Sequence, residues 1–397
     1  MYGSDGEGDA RREEEGDVLY AEGDIGGWTG GDEFCSSEDE GGGDPLDEPL
    51  AEYALHEEPV YCLSFIPEPR STDGSWPRFV SGGGDEVGYV FKAGDAEDAY
   101  CLRGHTDSVV SVSFGDDPHL CASASMDGTL RVWNVETEEL VKVLDGPTES
   151  IECVSWWKST IAAGSGSGDA WMWDVSPSAD VSFLQIFSGH SKGVNDIAFT
   201  PDGAALVTAG ADGVLKSWRP ETGQCLNTIA SNEHFHTAEL TSLRISSDGT
   251  LALTGGVGHK ACLSNLRTGR PKAEFLGHTD SVEKVEFVPD FPWILTAGLD
   301  GKIGVWDLNT GGIRQFIDNS GNGITGGIKL VNQVVFAADM AGYLAVWDVR
   351  SARQIWKLRA HRGPIHAFDL HVGRQLALTG SEDCLIKLFK TPPLGPT

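Results

Sequence analysis

The chain has 397 residues, 40% of them hydrophobic, and carries a formal net charge of −31 from 60 acidic against 29 basic residues. That apolar share is enough for a real core, whereas the excess of carboxylate repels phosphate backbones and attracts cationic ligands, so a nucleic-acid binder is excluded ahead of a binder of basic partners. Acidity that serves only solubility is the plainer alternative. No apolar run reaches the roughly 18 residues of a membrane helix. The opening "MYGSDGEGDARREEEGDV" has neither the basic start nor the apolar segment of a secretory or mitochondrial leader. No Asn-x-Ser/Thr acceptor occurs, and the eight cysteines (Cys35, Cys62, Cys101, Cys121, Cys153, Cys225, Cys262 and Cys384) never stand at CxxC spacing. Zinc and redox motifs are therefore absent, no cofactor or metal is expected, and the reading is a cytoplasmic protein with reduced thiols, a nuclear fraction being compatible with it.

In chain order, residues 1–49 come first, with 12 glycines and few apolar side chains. The first 50 residues hold 17 acidic and 2 basic residues, a net of −15 that leaves −16 for the rest. Such a composition cannot bury enough surface to offset the entropy of ordering, so 1–49 is expected to be a disordered acidic tail. Within it, Ser36 and Ser37 stand three residues before Asp39 and Glu40, a spacing that suits acid-directed phosphorylation.

From residue 50 onward the chain repeats itself. A turn followed by an aromatic recurs as "GDEVGYVF", "MDGTLRVW", "GSGDAWMW", "ADGVLKSW", "VGHKACLS" (where Ser replaces the aromatic), "LDGKIGVW", "MAGYLAVW" and "EDCLIKLF", at intervals of 40 to 46 residues. Within each unit, short runs alternate apolar and polar residues between tight turns, the period-two pattern of antiparallel strands. Four strands in a little over 40 residues make one propeller blade, so the expected fold is all-β, an eight-bladed ring over 50–391 followed by a short tail, 392–397. The last unit ends after its third strand, and "EPLAEYALH" at 48–56 precedes the first. That segment is expected to supply the missing outer strand and close the ring.

The second unit places His105, Ser123, Asp127 and Trp133 in a pattern that suggests a hydrolase until it recurs as His190, Thr208, Asp212 and Trp218 and as His278, Thr296, Asp300 and Trp306. Imperfect versions are His56, Ser81, Asp85 and Phe91, and His361, Thr379, Asp383 and Phe389. Acyl transfer needs one nucleophile and one oxyanion hole, not a copy per blade. The tetrads are read instead as structural, the imidazole donating to the Asp and to the hydroxyl while the indole closes the chain, and no enzyme is expected. The glycine-rich "AAGSGSGDAW" and "TGGVGHKA" lack Walker spacing and occupy turn positions. His234 and His236 in "NEHFHTAEL" are read as a loop pair and not a metal site.

The "GH" opening, the Asp-Gly turn and the closing Trp-Asp of "GVWDL" and "AVWDV" mark WD40 repeats. More narrowly, "ALHEEPVYCLSF", "GGDEVGYVF", "GDAWMWDV", "LTGGVGHKACLSNLRTG" and "SEDCLIKLF" behind an acidic leader resemble the family of angio-associated migratory cell protein and its yeast counterpart, the dedicated chaperone of a large-subunit ribosomal protein. The resemblance implies a monomeric escort that captures the basic N-terminal segment of ribosomal protein uL-sixteen (eukaryotic L-ten). The loops entering the inner strands and the second hairpins of one face offer Glu57, Glu58, Asp107, Glu149, Glu152, Asp196, Glu239, Asp280, Glu283 and Glu382, carboxylates in seven of the eight blades. Arg362 in the eighth entry loop suggests that a cationic ligand avoids that side. A WD40 scaffold in signalling or ubiquitin ligation, with apolar anchors around the mouth, and a histone escort are the competing readings.

Overall fold

The computed structural model describes residues 46–67, 76–176, 182–230 and 235–393. The acidic segment 1–45 with Ser36 and Ser37, together with His234, lies outside the described residues. Among the described residues, alternation along the chain places 32 strands in eight antiparallel four-stranded sheets. Seven sheets take their strands consecutively, with inner strands Val60–Phe65, Val109–Phe114, Ile151–Trp157, Val194–Phe199, Leu240–Ile245, Val282–Val288 and Ile324–Val331. These are blades 1 to 7.

Blade 8 runs from its inner strand Ile365–His371 through Leu376–Ser381 and Ile386–Lys390 to Ala51–Tyr53, so the first strand of the chain completes the last sheet. The register is Ala51 to Leu388, Glu52 to Lys387 and Tyr53 to Ile386. The ordered body reaches further back than residue 50. Asp47 donates its N–H to the Arg359 carbonyl at 3.0 Å and accepts the Arg359 N–H on Oδ2 at 2.7 Å, tying the segment to the outer strand of blade 7 as well.

Neighbouring blades pack through one repeated contact. The second strand carries a small residue where the next blade's inner strand begins with an aliphatic one. A Cβ added at Gly82, Gly164 or Gly380 would lie within 2.7 Å of Val109, Val194 or Val60, and at Gly255 it would meet Val282. Ala124 with Ile151, Ala209 with Leu240, Ala297 with Ile324 and Ala338 with Ile365 fill the same places in the shared clusters. The Gly380–Val60 contact joins the last blade to the first, so the packing rule runs unbroken round the ring. A larger side chain would have to force two sheets apart, since interiors are close-packed.

Tyr53 makes closure a tertiary event. It is buried, its ring packs 5.1 Å from Phe79 and 4.9 Å from Phe91 in blade 1, and its hydroxyl accepts the Gly94 N–H at 2.7 Å. Deleting residues 46–56 should lower the melting temperature by ~10 °C or more, and Tyr53→Ala should cost about 3 kcal/mol in chemical denaturation. Deleting residues 1–40 should leave both unchanged. Equal effects of the two deletions would refute closure by this strand.

Candidate binding face

In an antiparallel four-strand meander, the loop entering the inner strand and the turn between the second and third strands lie at the same end of the blade. Eight equivalent hydrogen bonds hold those two loops together. The first turn residue donates its N–H to an entry-loop carbonyl: Gly84 to Pro59, Met126 to Ser108, Gly166 to Ser150, Ala211 to Gly193, Val257 to Glu239, Leu299 to Ser281, Met340 to Gly323 and Glu382 to Pro364, all between 2.8 and 3.1 Å. One face of the ring is thus built from register-fixed loops.

The tetrads brace the same loops. His105 Nδ1 lies 3.0 Å from Asp127 Oδ2, its Nε2 lies 2.8 Å from Ser123 Oγ, and the Trp133 indole donates to that hydroxyl at 2.9 Å. Blades 4 and 6 repeat the chain through His190, Asp212, Thr208 and Trp218 and through His278, Asp300, Thr296 and Trp306. In blades 1 and 8, His56 joins Ser81 to Asp85 and His361 joins Thr379 to Asp383, with Phe91 and Phe389 at the Trp position. The Asp also accepts the N–H of the residue after the His, as Thr106 to Asp127 at 3.0 Å, which pins the entry loop.

Taken alone, Ser123, His105 and Asp127 have the connectivity of a hydrolytic triad. Ser123 is fully buried, however, and its oxygen is already engaged by the indole, so no substrate carbonyl can reach it. Proton directions follow from the acceptor-only carboxylate: Nδ1 carries the proton and donates to Asp, and Nε2 accepts from the hydroxyl. The expectation that the imidazole donates on both sides is corrected here. It would require an imidazolium, and burial holds His105 and His190 below the usual histidine value. Burial would raise Asp127, but hydrogen bonds from Thr129, Thr106 and His105 bring its carboxyl below the usual range.

His236, expected in a loop pair, is the tetrad histidine of blade 5. It is buried and lies 3.0 Å through Nε2 from Thr254 Oγ1. Its 18-residue interval to Thr254 equals that from His105 to Ser123, a signal available in the sequence. The Asp and Trp positions are Gly258 and Ser264, and His236 Nδ1 and Ser264 Oγ have no hydrogen-bond partner. In blade 7, which lacks the His, Asn319 Nδ2 donates instead to the buried Asp339 at 2.8 Å.

The expected carboxylates divide into three groups. Glu57, Glu58, Asp107, Glu149, Glu239, Asp280 and Glu382 are exposed on the register-fixed loops. Glu152 and Glu283 are half-buried and occupy the extra position of a bulge that begins their inner strands, each accepting from a serine, Ser150 and Ser281. Asp196 is different and corrects the expectation. Its Oδ2 accepts the Leu243 N–H at 2.7 Å and faces Arg244 at 3.7 Å, so it is spent on the joint between blades 4 and 5. Exposed or half-buried carboxylates not spent as Asp196 is therefore come from six blades, that of blade 5 already accepting Asn195 Nδ2 at 2.7 Å on Glu239 Oε1, and Lys192 and Arg362 are exposed on entry loops of the same face. Sequence reasoning missed the apolar members of this face. Met126, Val257 and Met340 stand exposed at the turn position of blades 2, 5 and 7.

The WD domain, G-beta repeat model matches residues 97–134, 181–219, 269–307 and 352–390. The chain carries WD40 repeats. It is 28% identical over 358 residues to human angio-associated migratory cell protein, covering 85% of this chain and 79% of the relative. Among solved structures, the fold is shared by Chaetomium thermophilum Sqt1 bound to the N-terminus of the ribosomal protein L10, with a TM-score of 0.75, 19% identity and coverage of 86% and 99%. Saccharomyces cerevisiae Sqt1 is similar at a TM-score of 0.77, 16% identity and coverage of 88% and 100%.

Trp133→Ala should cost about 3–5 kcal/mol in denaturant unfolding. Burial, with Lys260 nearby, pushes the His236 imidazole down to about 4 from 6.5, so its contribution is fully present above 6.5 and is lost as pH falls toward 4. Gly258→Asp, which has room for a side chain beside Ala238, should supply the missing acceptor and shrink the drop in melting temperature between pH 7 and 5. An unchanged drop in the variant would show that His236 does not govern it.

Proposed function

We propose that the protein is a non-enzymatic escort that captures the basic N-terminal segment of a newly made ribosomal protein, uL-sixteen (eukaryotic L-ten), in the cytoplasm and carries it to late large-subunit assembly. The observation that carries this reading is the set of carboxylates from six blades on the entry loops, the inner-strand bulges and one turn of the same face. Converging carboxylates pair with Arg and Lys, each charge-assisted bond contributing roughly 1.5–3 kcal/mol when water is excluded. The likeness to angio-associated migratory cell protein, and a shared fold with a structure that holds the L10 N-terminus, support the choice of partner. A binding role without chemistry is supported by the tetrads, whose hydroxyls are buried and occupied.

Exposed Met126, Val257 and Met340 favour a second reading, a WD40 scaffold that recognises a short motif through apolar anchors. Salt separates the two. With a fluorescein-labelled N-terminal peptide of the ribosomal protein, the escort should lose affinity at least ~10-fold between about 50 and 200 mM salt, whereas an apolar recognition mode should change little. Glu152→Lys with Glu283→Lys should abolish binding while leaving the melting temperature in place. A Kd indifferent to both salt and this charge reversal would rule out the escort.

A further inference from the structure

The seam where the ring closes carries a grouping found in no other described blade pair. Tyr61 and His366 are the extra residues of the bulges that open the inner strands of blades 1 and 8. Across the seam their rings lie 5.7 Å apart at 50°, Tyr61 exposed and His366 half-buried. Two carboxylates flank them. Glu58 comes from the entry loop of blade 1, and Glu382 holds the turn position of blade 8, its N–H fixed to the Pro364 carbonyl at 3.1 Å.

Gly84 makes the grouping possible. A Cβ there would stand 2.6 Å from Glu58 Oε2 and 3.4 Å from Tyr61 Cε2, so only the bare turn lets the carboxylate and the ring edge meet at this point. The same position holds Met126 in blade 2 and Met340 in blade 7. The Tyr61 hydroxyl feels the result: burial first, then Glu58 and Glu382, raise it above the usual tyrosine value. The His366 imidazole is lowered by burial, against the pull of Glu382.

We propose that this seam is an arginine-selective subsite of the binding face, in which a guanidinium lies on the Tyr61 and His366 rings and its fork reaches Glu58 and Glu382. The proposal rests on the basic-peptide reading and sharpens it to one side-chain type. A guanidinium is planar, weakly hydrated and bidentate, so it stacks and forks at once, whereas a lysine ammonium is a compact hydrated charge that gains only the Coulomb part. The proposal runs against the expectation that Arg362 drives cations from this side. Arg362 is exposed on the loop, where solvent screens it, and two carboxylates stand against its one charge.

The test uses the full chain and two labelled peptides of equal charge, hepta-arginine and hepta-lysine, titrated by fluorescence anisotropy at fixed salt. The wild type should bind hepta-arginine about five- to ten-fold more tightly. Tyr61→Ala should erase that preference while leaving hepta-lysine binding nearly unchanged, and Tyr61→Phe should keep it. Gly84→Ala, which displaces the Glu58 carboxylate, should weaken hepta-arginine more than hepta-lysine. Equal affinity of the wild type for both peptides would overturn the arginine subsite alone, as would an equal loss for both in a Tyr61→Ala protein of unchanged melting temperature. Failure of either peptide to bind at all would overturn the basic-peptide reading with it.

Discussion

Pairing of Ala51–Tyr53 with Ile386–Lys390 is the interaction on which the rest of the molecule depends. Without it, blade 8 would present an open edge and blade 1 would lose the ring that fills its aromatic cluster. Three residues suffice because each face of the short strand is used. Tyr53 enters blade 1, and Glu52 sits 3.5 Å from the ammonium of Lys387, a nearly buried lysine. Seven other joints rely on a small residue opposite an aliphatic one. The eighth has that contact, Gly380 against Val60, and the strand exchange as well.

Besides the carboxylates of the entry loops, the inner strands carry charges that pair with one another. Along the inner strands, Arg244 bridges Asp196 and Glu286, and Lys329 pairs with Asp369, whose other oxygen takes the Phe65 N–H at 2.7 Å. These pairs join blade to blade across blades 4 to 6, then 7 to 8, and from 8 to 1. In blades 2 and 3 the same task falls to a neutral bond, Trp156 Nε1 to Ser113 Oγ at 2.9 Å. These inner-strand charges are thus spent on joining blades, while those on the entry loops stay exposed.

Much of this was legible in the sequence because its signals are local. Asp-Gly turns, alternating strands and the constant His-to-Trp interval each lie within one repeat, and the unpaired last unit pointed to its own completion by the first strand. What escaped depended on relations between repeats. Asp196 looks like any loop carboxylate until the Leu243 N–H of the next blade is placed beside it. His236 was obscured by a neighbouring histidine and by the loss of its Asp and Trp companions at Gly258 and Ser264. The grouping of Tyr61 with His366 arises from two bulges on strands at opposite ends of the chain, which no local pattern announces.

Closure by the first strand also orders events in time. Ala51 finds Leu388 only after nearly the whole chain has been made, so the first segment must wait, unpaired, through the synthesis of every blade between them. Glu58 and Tyr61 emerge from the ribosome early, His366 and Glu382 almost last. The Tyr61–His366 pair that straddles this join therefore comes together only once the last blade is made.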